Sequence, residues 1–313
     1  MAIDITSTRD CQDLMGRIHQ TMLKKGYAVG RIPKAPAQFQ QNDDYILEGL
    51  AKAILTRQTR WAEMELILPE LKTDFFDYHV ECVAALTDRY IAKLYAKYRN
   101  RVRARLLHDE LLSIADNAGK FLAIRAAHQS VWQFMQSLLN AQNYDGALQC
   151  YVRPDDGELL SRFIEAGNPL KLSSVGLAIC CEFFNNVGID EFKPDLHTIR
   201  FFNRIDLDRR RWRVSRRPDD ARQIGIAMAA TLRQPRKFVD GHIWHFCADG
   251  KGQICTEDDP QCGLCMLKTN RPQLCNGWPS RREIQSQWLA ATKRFRGCAL
   301  SRKRAEKKLR TQA

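Results

Sequence analysis

The chain has 313 residues, of which 44% are hydrophobic and 27% are charged. This balance is ordinary for a globular protein that can bury one large core or two smaller ones. Its 49 Lys and Arg residues outnumber its 36 Asp and Glu residues and leave a net charge of +13. So large an excess favours a polyanionic partner, most commonly a nucleic acid. No window approaches 18 uninterrupted apolar residues, so no membrane span is expected.

The N-terminal twenty residues lack the apolar core of a secretion signal. We therefore expect a protein that is not secreted and that resides in the cytoplasm, at the nucleoid of a bacterium or archaeon, or in a nucleus. In such a reducing compartment, closely spaced cysteines are more often metal ligands or redox groups than structural disulfides.

Apolar residues recur with helical spacing through most of the first half of the chain. The pattern predicts helices over 43–55, 80–95, 105–124 and 130–142. Asp43 or Asp44 is the expected N-cap of the first of these, and the string "TDRY" at 87–90 is a helix start signal. No run alternates strictly between apolar and polar residues, so we expect few strands and an all-α fold.

Four of the eleven cysteines lie within residues 255–275, at Cys255, Cys262, Cys265 and Cys275. The gaps between them are six, two and nine residues, and Pro and Gly residues supply turns between them. Thiolates bind soft metals and iron–sulfur clusters, so this loop predicts a cluster. Zinc is the alternative, because Cys262-Gly-Leu-Cys265 is also a zinc-type pairing.

The C-x6-C-x2-C opening of this loop resembles the iron–sulfur loop of the endonuclease III branch of the helix-hairpin-helix DNA glycosylase superfamily. Relatives usually have five residues in the last gap, where this chain has nine. Cys275 is the expected fourth ligand, and because its gap departs from the family pattern, Cys247 is the alternative.

Two further motifs upstream resemble the same superfamily. The segment Leu172-Ser173-Ser174-Val175-Gly176 is similar to the family's hairpin "LPGVG", and Pro194-Asp195-Leu196-His197 is similar to its later "VDTHI". A glycine-containing turn before a helix exposes N–H groups that bind phosphate without reading sequence. Asp195 follows a proline and precedes a helical run, so it is also an expected N-cap.

The resemblance implies an all-α, two-lobed helix-hairpin-helix DNA glycosylase fold with a [4Fe–4S] cluster, or zinc in the alternative. It implies that Asp195 is the catalytic carboxylate and that residues 172–176 bind DNA. Relatives that also cut the DNA strand carry a lysine where this chain has Ala178. The expected enzyme is therefore monofunctional and leaves an abasic site. A DNA-binding protein of the same fold without catalysis is the alternative.

The front half extends the resemblance. Residues 45–61 are similar to the family segment "FELLIAVLLSAQATD", which aligns Gln58 with a glutamine that fills the gap left by an extruded base. The alternative for Gln58 is an ordinary surface residue at a helix end. Glu48, Trp61 and His197 are the residues that we expect at the base pocket, with an ordinary i,i+4 pair to Lys52 as the alternative for Glu48.

Basic residues cluster at two places. Residues 204–223 hold eight arginines, of which Arg209, Arg210 and Arg211 are the expected contacts to the DNA backbone, and the segment after residue 280 is also strongly basic. The expected organisation has a segment 1–42 that packs on the cluster lobe and a central helical lobe 43–185 with the hairpin motif at about 165–185. A lobe 186–280 follows with Asp195 and the cysteines, and then a basic tail 281–313. The expected partner is double-stranded DNA with a modified or damaged base, bound by a monomer.

Overall fold

The computed structural model describes residues 2–57, 61–102, 105–139, 144–152, 157–208, 217–269 and 274–275. Within these ranges the chain is predominantly helical, which confirms the predicted all-α class. The α-helices are α1 (Thr8–Lys24), α2 (Asp43–Leu55), α3 (Trp61–Glu65), α4 (Leu68–Asp74), α5 (Val80–Ala84), α6 (Asp88–Tyr98), α7 (Leu107–His128), α8 (Val131–Leu138), α9 (Glu158–Ile164), α10 (Leu177–Asn186), α11 (Leu196–Arg204), α12 (Pro218–Leu232), α13 (Arg236–Cys247) and α14 (Met266–Thr269). In the described ranges, none of these helices combines the length and apolar character that crossing a bilayer requires.

Non-helical regular structure is limited in the described residues. Two short strands, β1 (Tyr144–Asp145) and β2 (Cys150–Tyr151), pair antiparallel. Val29–Arg31 and Phe76–Tyr78 form short 3-10 turns. The expectation of few strands is thus confirmed.

Helix α2 has the predicted bounds of 43–55, but its cap is a different residue. The side chain of Asn42 accepts hydrogen bonds from the N–H groups of Asp44 and Tyr45. The two aspartates predicted as caps serve other helices instead. Asp43 Oδ1 accepts from Val131 N at 2.9 Å at the start of α8, and Asp44 Oδ1 accepts from Val80 N at 2.9 Å at the start of α5. These aspartates join α2 to two neighbouring helices.

The predicted helix 80–95 is two helices in the structure. Helix α5 ends at Ala84, and α6 begins after Thr87, whose hydroxyl accepts from Tyr90 N at 3.3 Å. The start signal at Thr87 is therefore confirmed. The prediction of one continuous helix was wrong because the apolar spacing continues across the break.

Two hydrophobic clusters form the core. The first contains buried residues from 46 to 189 and lies among α2, α5, α7, α8, α9 and α10. The second combines residues 3–32 with residues 192–275, so the N-terminal segment packs against the part of the chain that carries the cysteine loop. The Ile3 backbone pairs with Leu207, which fixes the start of the chain to the segment after α11.

A buried ion pair lies where the chain passes from the first cluster to the second. Glu191 is fully buried and binds Arg222 Nη2 at 2.5 Å, with Arg236 Nη1 at 3.4 Å. A carboxylate without solvent is stable only when such partners are present. This pair fixes the linking segment to α12 and α13.

Candidate active site

The hairpin segment connects α9 to α10. Leu172 and Val175 are buried in the first cluster, and Leu172 N donates to Phe163 O at 2.9 Å. Gly176 is exposed and precedes α10 without any side-chain cap. A β-carbon placed on Gly176 would meet no atom within 4 Å. The backbone at Gly176 is therefore uncovered, and an anion such as a phosphate can approach the start of α10 there.

Ser174 adopts a left-handed backbone conformation, with φ of +59°. This region favours glycine, and the similar family motif has glycine at the matching position. The Ser174 hydroxyl lies 2.7 Å from Ser113 Oγ, which itself donates to Asp109 O at 2.6 Å. A hydrogen bond to α7 thus offsets the strain at Ser174.

Helix α7 also holds the preceding residue. Asn117 Nδ2 donates to Ser173 O at 3.0 Å, and Ser173 N donates to Asn117 Oδ1 at 2.7 Å. Lys120 Nζ donates to Lys171 O and to Ser173 Oγ, both at 2.8 Å, and Ser173 Oγ also binds Asp116. Sequence reasoning missed this support. The sequence feature that could have revealed it is the set of polar residues at helical spacing on the face of α7 that packs into the core.

We expect substitution of Asn117 by alanine to destabilise the protein and loosen the hairpin. Asn117 is fully buried, so its loss leaves the N–H and C=O of Ser173 without their partners. Each such buried group costs about 1–3 kcal/mol. Urea denaturation should show a lower free energy of unfolding, and DNA affinity should fall by about tenfold or more. Asn100→Ala, in the exposed turn after α6, is the control and should leave both quantities unchanged.

Asp195 is the N-cap of α11, as predicted. Its Oδ1 accepts from His197 N at 2.8 Å and from Thr198 N at 3.0 Å. Its Oδ2 makes no hydrogen bond within the described parts of the chain, and the residue is only partly buried. The helix start therefore fixes one carboxylate oxygen and leaves the other free to face a ligand.

A cluster of charges joins the Asp195 loop to the helix that starts at the hairpin. Lys193 Nζ lies 3.2 Å from Glu182 Oε2 on α10, and Lys237 Nζ on α13 lies 3.9 Å from the same oxygen. Burial alone would raise the pKa of Glu182, but the two lysines outweigh it and hold the pKa at about 2. These contacts fix the loop of Asp195 to α10 and α13. No local pattern could reveal them, because the residues are far apart in sequence.

His197 lies against Arg200 and Trp244. Arg200 Nη2 lies 2.8 Å from His197 Nδ1, and a guanidinium can only donate, so Nδ1 is the acceptor. Burial lowers the pKa of His197, and Arg200 and Lys193 lower it further against the opposing effect of Asp195. We infer a neutral ring with its proton on Nε2. The ring lies edge-on to Trp244 with 6.3 Å between centroids.

The other two residues expected at a base pocket have different surroundings. Glu48 binds Lys52 Nζ at 2.7 Å and Lys72 Nζ at 2.9 Å, on the side of α2 that faces α4. Trp61 is partly buried and donates from Nε1 to Glu65 at 2.6 Å. In the described ranges, no hydrogen bond or ion pair joins either residue to the hairpin or to the Asp195 loop.

Part of the predicted basic patch is not on the surface. Arg204 and Arg222 belong to the arginine-rich run that was expected to contact the DNA backbone, yet both are buried. Arg222 binds the buried carboxylate of Glu191, and Arg204 binds the Thr256 carbonyl oxygen in the cysteine loop. A buried guanidinium needs such acceptors because it has lost its contact with water. The expected DNA contacts Gln58, Arg209, Arg210 and Arg211 lie outside the described residues, as does the basic tail 281–313.

The cysteine loop is folded against the C-terminal half of α11. Arg204 Nη1 donates to Cys255 Sγ at 3.2 Å and to Thr256 O at 2.6 Å, and Arg200 Nε donates to Cys255 O at 3.1 Å. A hydrogen bond from Cys247, together with Arg204 and Arg200, lowers the pKa of Cys255 to about 6 despite burial. A thiolate at this position is therefore favoured, as metal ligation requires.

Backbone contacts define the rest of the cysteine loop. Cys265 N donates to Cys262 O at 3.3 Å, which forms the turn of the Cys-Gly-Leu-Cys pair. Cys275 forms an isolated bridge with Ile205 at the end of α11, and Cys265 and Cys275 are both buried in the second cluster. Cys247, at the end of α13, is fully buried beside Cys255. Thiols are the ligand type that an iron–sulfur cluster or zinc takes. In the described ranges, no three of these sulfur atoms lie within 4.8 Å of one another.

Comparison with known proteins gives only a partial structural likeness. No protein-family model matches the chain, and no curated protein matches it. Three solved structures of 3-methyladenine DNA glycosylase I are similar to this chain. One is a tyrosine-to-phenylalanine variant in complex with 3-methyladenine. The other two are of the protein from Staphylococcus aureus, and one of these is a glutamate-to-glutamine mutant. Each has a TM-score of 0.39 and 20% identity and covers 50% of this chain and 82% or 83% of the other.

Proposed function

We propose that this protein is a monofunctional DNA glycosylase that extrudes a damaged or modified base and hydrolyses its N-glycosidic bond. The observation that carries the proposal is the carboxylate of Asp195. Two helix N–H groups hold Oδ1, while Oδ2 makes no hydrogen bond in the described ranges. An oriented, partly exposed anion of this kind suits the stabilisation of a positively charged sugar.

The hairpin and α10 supply the binding half of this mechanism. The uncapped start of α10 and the turn before it hold a phosphate of the DNA backbone by N–H groups, which requires no base sequence. The target nucleotide leaves the base stack, at a cost of a few kcal/mol that is lowest for a damaged or mispaired base. The Glu182–Lys193 pair keeps the Asp195 loop attached to the same helix.

Bond cleavage then depends on Asp195. As the base departs with the bonding electron pair, the sugar acquires oxocarbenium character, and the carboxylate stabilises it. Water attacks C1′, its hydroxyl completes the abasic site, and its proton is taken up by a base such as the carboxylate. His197 lies two residues after Asp195, and its Nε2 can donate a hydrogen bond to the DNA backbone.

Water is the proposed nucleophile because the lysine amines that the structure describes at the hairpin, Lys120 and Lys171, are hydrogen-bonded to the hairpin itself. The position that carries lysine in strand-cutting relatives is Ala178. Lys171, on the other side of the turn, directs its ammonium to the carbonyl oxygens of Leu172 and Val175 at 3.3 and 3.4 Å. It thus stabilises the hairpin, and no Schiff base or strand cleavage is expected.

The proposed cofactor is a [4Fe–4S] cluster bound by Cys255, Cys262, Cys265 and Cys275, with zinc as the alternative. Cys247 remains an alternative to Cys275 as the fourth ligand, since its thiol adjoins Cys255. When bound, the group would crosslink the loop and hold it against α11. Arg204 and Arg200 already fix the loop to the helix that Asp195 caps.

A DNA-binding protein of the same fold without catalysis is the second candidate. The observation that favours it is the N-cap itself, since a helix start accounts for Asp195 without any reaction. Release of a base by the wild-type protein, and its loss on substitution of Asp195, would exclude this candidate.

The test of the function is a survey of substrates. Purified protein is incubated with duplex DNAs that carry alkylated, deaminated or oxidised bases, with U·G and T·G mismatches, and with hypermodified viral DNA. Released bases are identified by mass spectrometry. Release of a small modified base would support a role in repair, and release from viral DNA alone would support defence against foreign DNA. Binding to these duplexes without release of any base would reject the enzyme.

A further inference from the structure

Two largely buried lysines lie in the charge cluster beside the Asp195 loop. Lys193 stands two residues before Asp195, and Lys237 lies on α13, and their side chains are only 15% and 17% exposed. Such ammonium groups need acceptors, because they have lost most of their contact with water. Asp195 Oδ2 makes no hydrogen bond in the described ranges, so it is an acceptor that a neighbouring ammonium can claim.

Glu182 on α10 takes up the Lys193 ammonium. Its Oε2 lies 3.2 Å from Lys193 Nζ and 3.9 Å from Lys237 Nζ. Asp240 takes up Lys237 as well, with Oδ2 at 3.4 Å from Lys237 Nζ. Among the described residues, no ion pair within 4.0 Å joins either lysine to Asp195. The ammonium of Lys193 is therefore directed to α10, although Asp195 is its close neighbour in the chain.

The charges of these groups act on one another across the cluster. Burial opposes the charge on Lys193, but Glu182 and then Asp195 outweigh burial and raise the pKa of the ammonium. Against the effect of burial on its own carboxyl group, the two lysines hold the pKa of Glu182 at about 2, so Glu182 is charged at neutral pH. Lys193 is thus a cation within electrostatic range of Asp195, and the position of Glu182 decides where its ammonium lies.

The backbone of the Asp195 loop is held by contacts that do not involve this ammonium. Lys193 O accepts a hydrogen bond from Asp195 N at 3.0 Å and another from Thr198 Oγ1 at 3.2 Å. The carboxylate itself is fixed through Oδ1 by the first N–H groups of α11. Loss of the Glu182 charge therefore changes the charge beside Asp195 more than it changes the position of the loop.

We propose that Glu182 is a positioning residue, which holds the ammonium of Lys193 away from Asp195 and so leaves the Asp195 carboxylate free to stabilise the sugar. This inference rests on the proposed function. The sugar becomes positively charged as the base departs, so an ammonium paired with Asp195 would neutralise the carboxylate and repel the sugar. Glu182 acts through Lys193 and does not itself touch the DNA.

The test uses Glu182→Gln, which keeps the shape of the side chain and removes its charge. Single-turnover release is measured with saturating protein on the best substrate from the survey, for this change alone and on a Lys193→Met background. Alone, the change should slow release by about 10- to 100-fold, because Lys193 then pairs with Asp195. On the Lys193→Met background, the same change should slow release by less than about threefold, because no ammonium is left to be held back.

Control measurements separate this role from a structural one. Glu158→Gln removes an exposed carboxylate that pairs with Arg162 on α9, and it should release base at the wild-type rate. Duplex affinity of Glu182→Gln should stay within about threefold of the wild type, because the loss concerns the reaction and not binding. If Glu182→Gln does not fold, Glu182→Asp takes its place in the same comparison. Its shorter carboxylate should slow release when Lys193 is present and not on the Lys193→Met background.

Two results would overturn the assignment while leaving a glycosylase. The first is release at the wild-type rate by Glu182→Gln. The second is equal slowing with and without the Lys193 ammonium, which would leave Glu182 with a role in the fold alone. Wild-type protein that releases no base from any DNA in the survey would instead reject the proposed function, and this assignment with it.

Discussion

Replacing Asp195 with asparagine is expected to lower the rate of base release by on the order of 10³-fold while leaving duplex affinity within about threefold. The reason is that the substitution removes the negative charge and little else. Asparagine is as good an N-cap as aspartate, so its side-chain oxygen can still accept from His197 N and Thr198 N. The fold and the hairpin that we propose binds DNA should therefore persist.

The measurement is single-turnover release with saturating protein on the best substrate from the survey, beside a binding assay with the same duplex. Asp219→Asn is the matched control, because Asp219 is an exposed carboxylate in the first turn of α12. It should release base at the wild-type rate. Unimpaired release by the Asp195 variant would contradict the catalytic role and leave Asp195 as a helix cap alone.

Replacing Cys265 with alanine should remove most bound iron and lower the free energy of unfolding by about 4 kcal/mol or more. Cys265 is buried in the second hydrophobic cluster and directly precedes α14, so loss of a cluster ligand there also loosens the packing around it. The assays are iron and zinc analysis of anaerobically purified protein, visible absorption, and denaturant unfolding. Cys82→Ala, an exposed cysteine on α5, should change none of them.

Two more substitutions decide the fourth ligand. If Cys275 binds the cluster, Cys275→Ser should lose iron while Cys247→Ser keeps it, and the reverse result would assign Cys247. Zinc in place of iron in the wild type would reject the cluster but keep the metal-bound loop. Wild-type protein that holds neither metal would contradict both proposals for the loop.

Some features of the chain were readable from the sequence because they are local. The cap at Asp195 needs only a side-chain oxygen and the two N–H groups that follow it, and helix α2 is defined by its own apolar spacing. The turn at 172–176 is similarly local, and its two buried residues are its apolar ones. The all-α class follows from the same periodicity repeated along the chain.

Other features depend on which helices meet. Asp43 and Asp44 have the sequence context of caps for α2, yet they accept hydrogen bonds from the first N–H groups of α8 and α5, because those helix starts lie beside them in the folded protein. Arg204 and Arg222 stand in a run that looks like a charged surface, but buried acceptors claim both of them. A run of charge along the sequence does not show which side chains face solvent.

Local sequence patterns were enough to predict the helical class, the order of the cysteines, and a carboxylate that begins a helix. The surroundings of these features come from contacts between distant segments: the polar face of α7 beneath the hairpin, the pair of Glu182 and Lys193, and the buried Oε2 of Glu110, which has no hydrogen bond in the described residues. The physical reason is range. Capping and periodicity act within one or two helical turns, whereas hydrogen bonds and ion pairs between distant segments form only once the cores have brought those segments together.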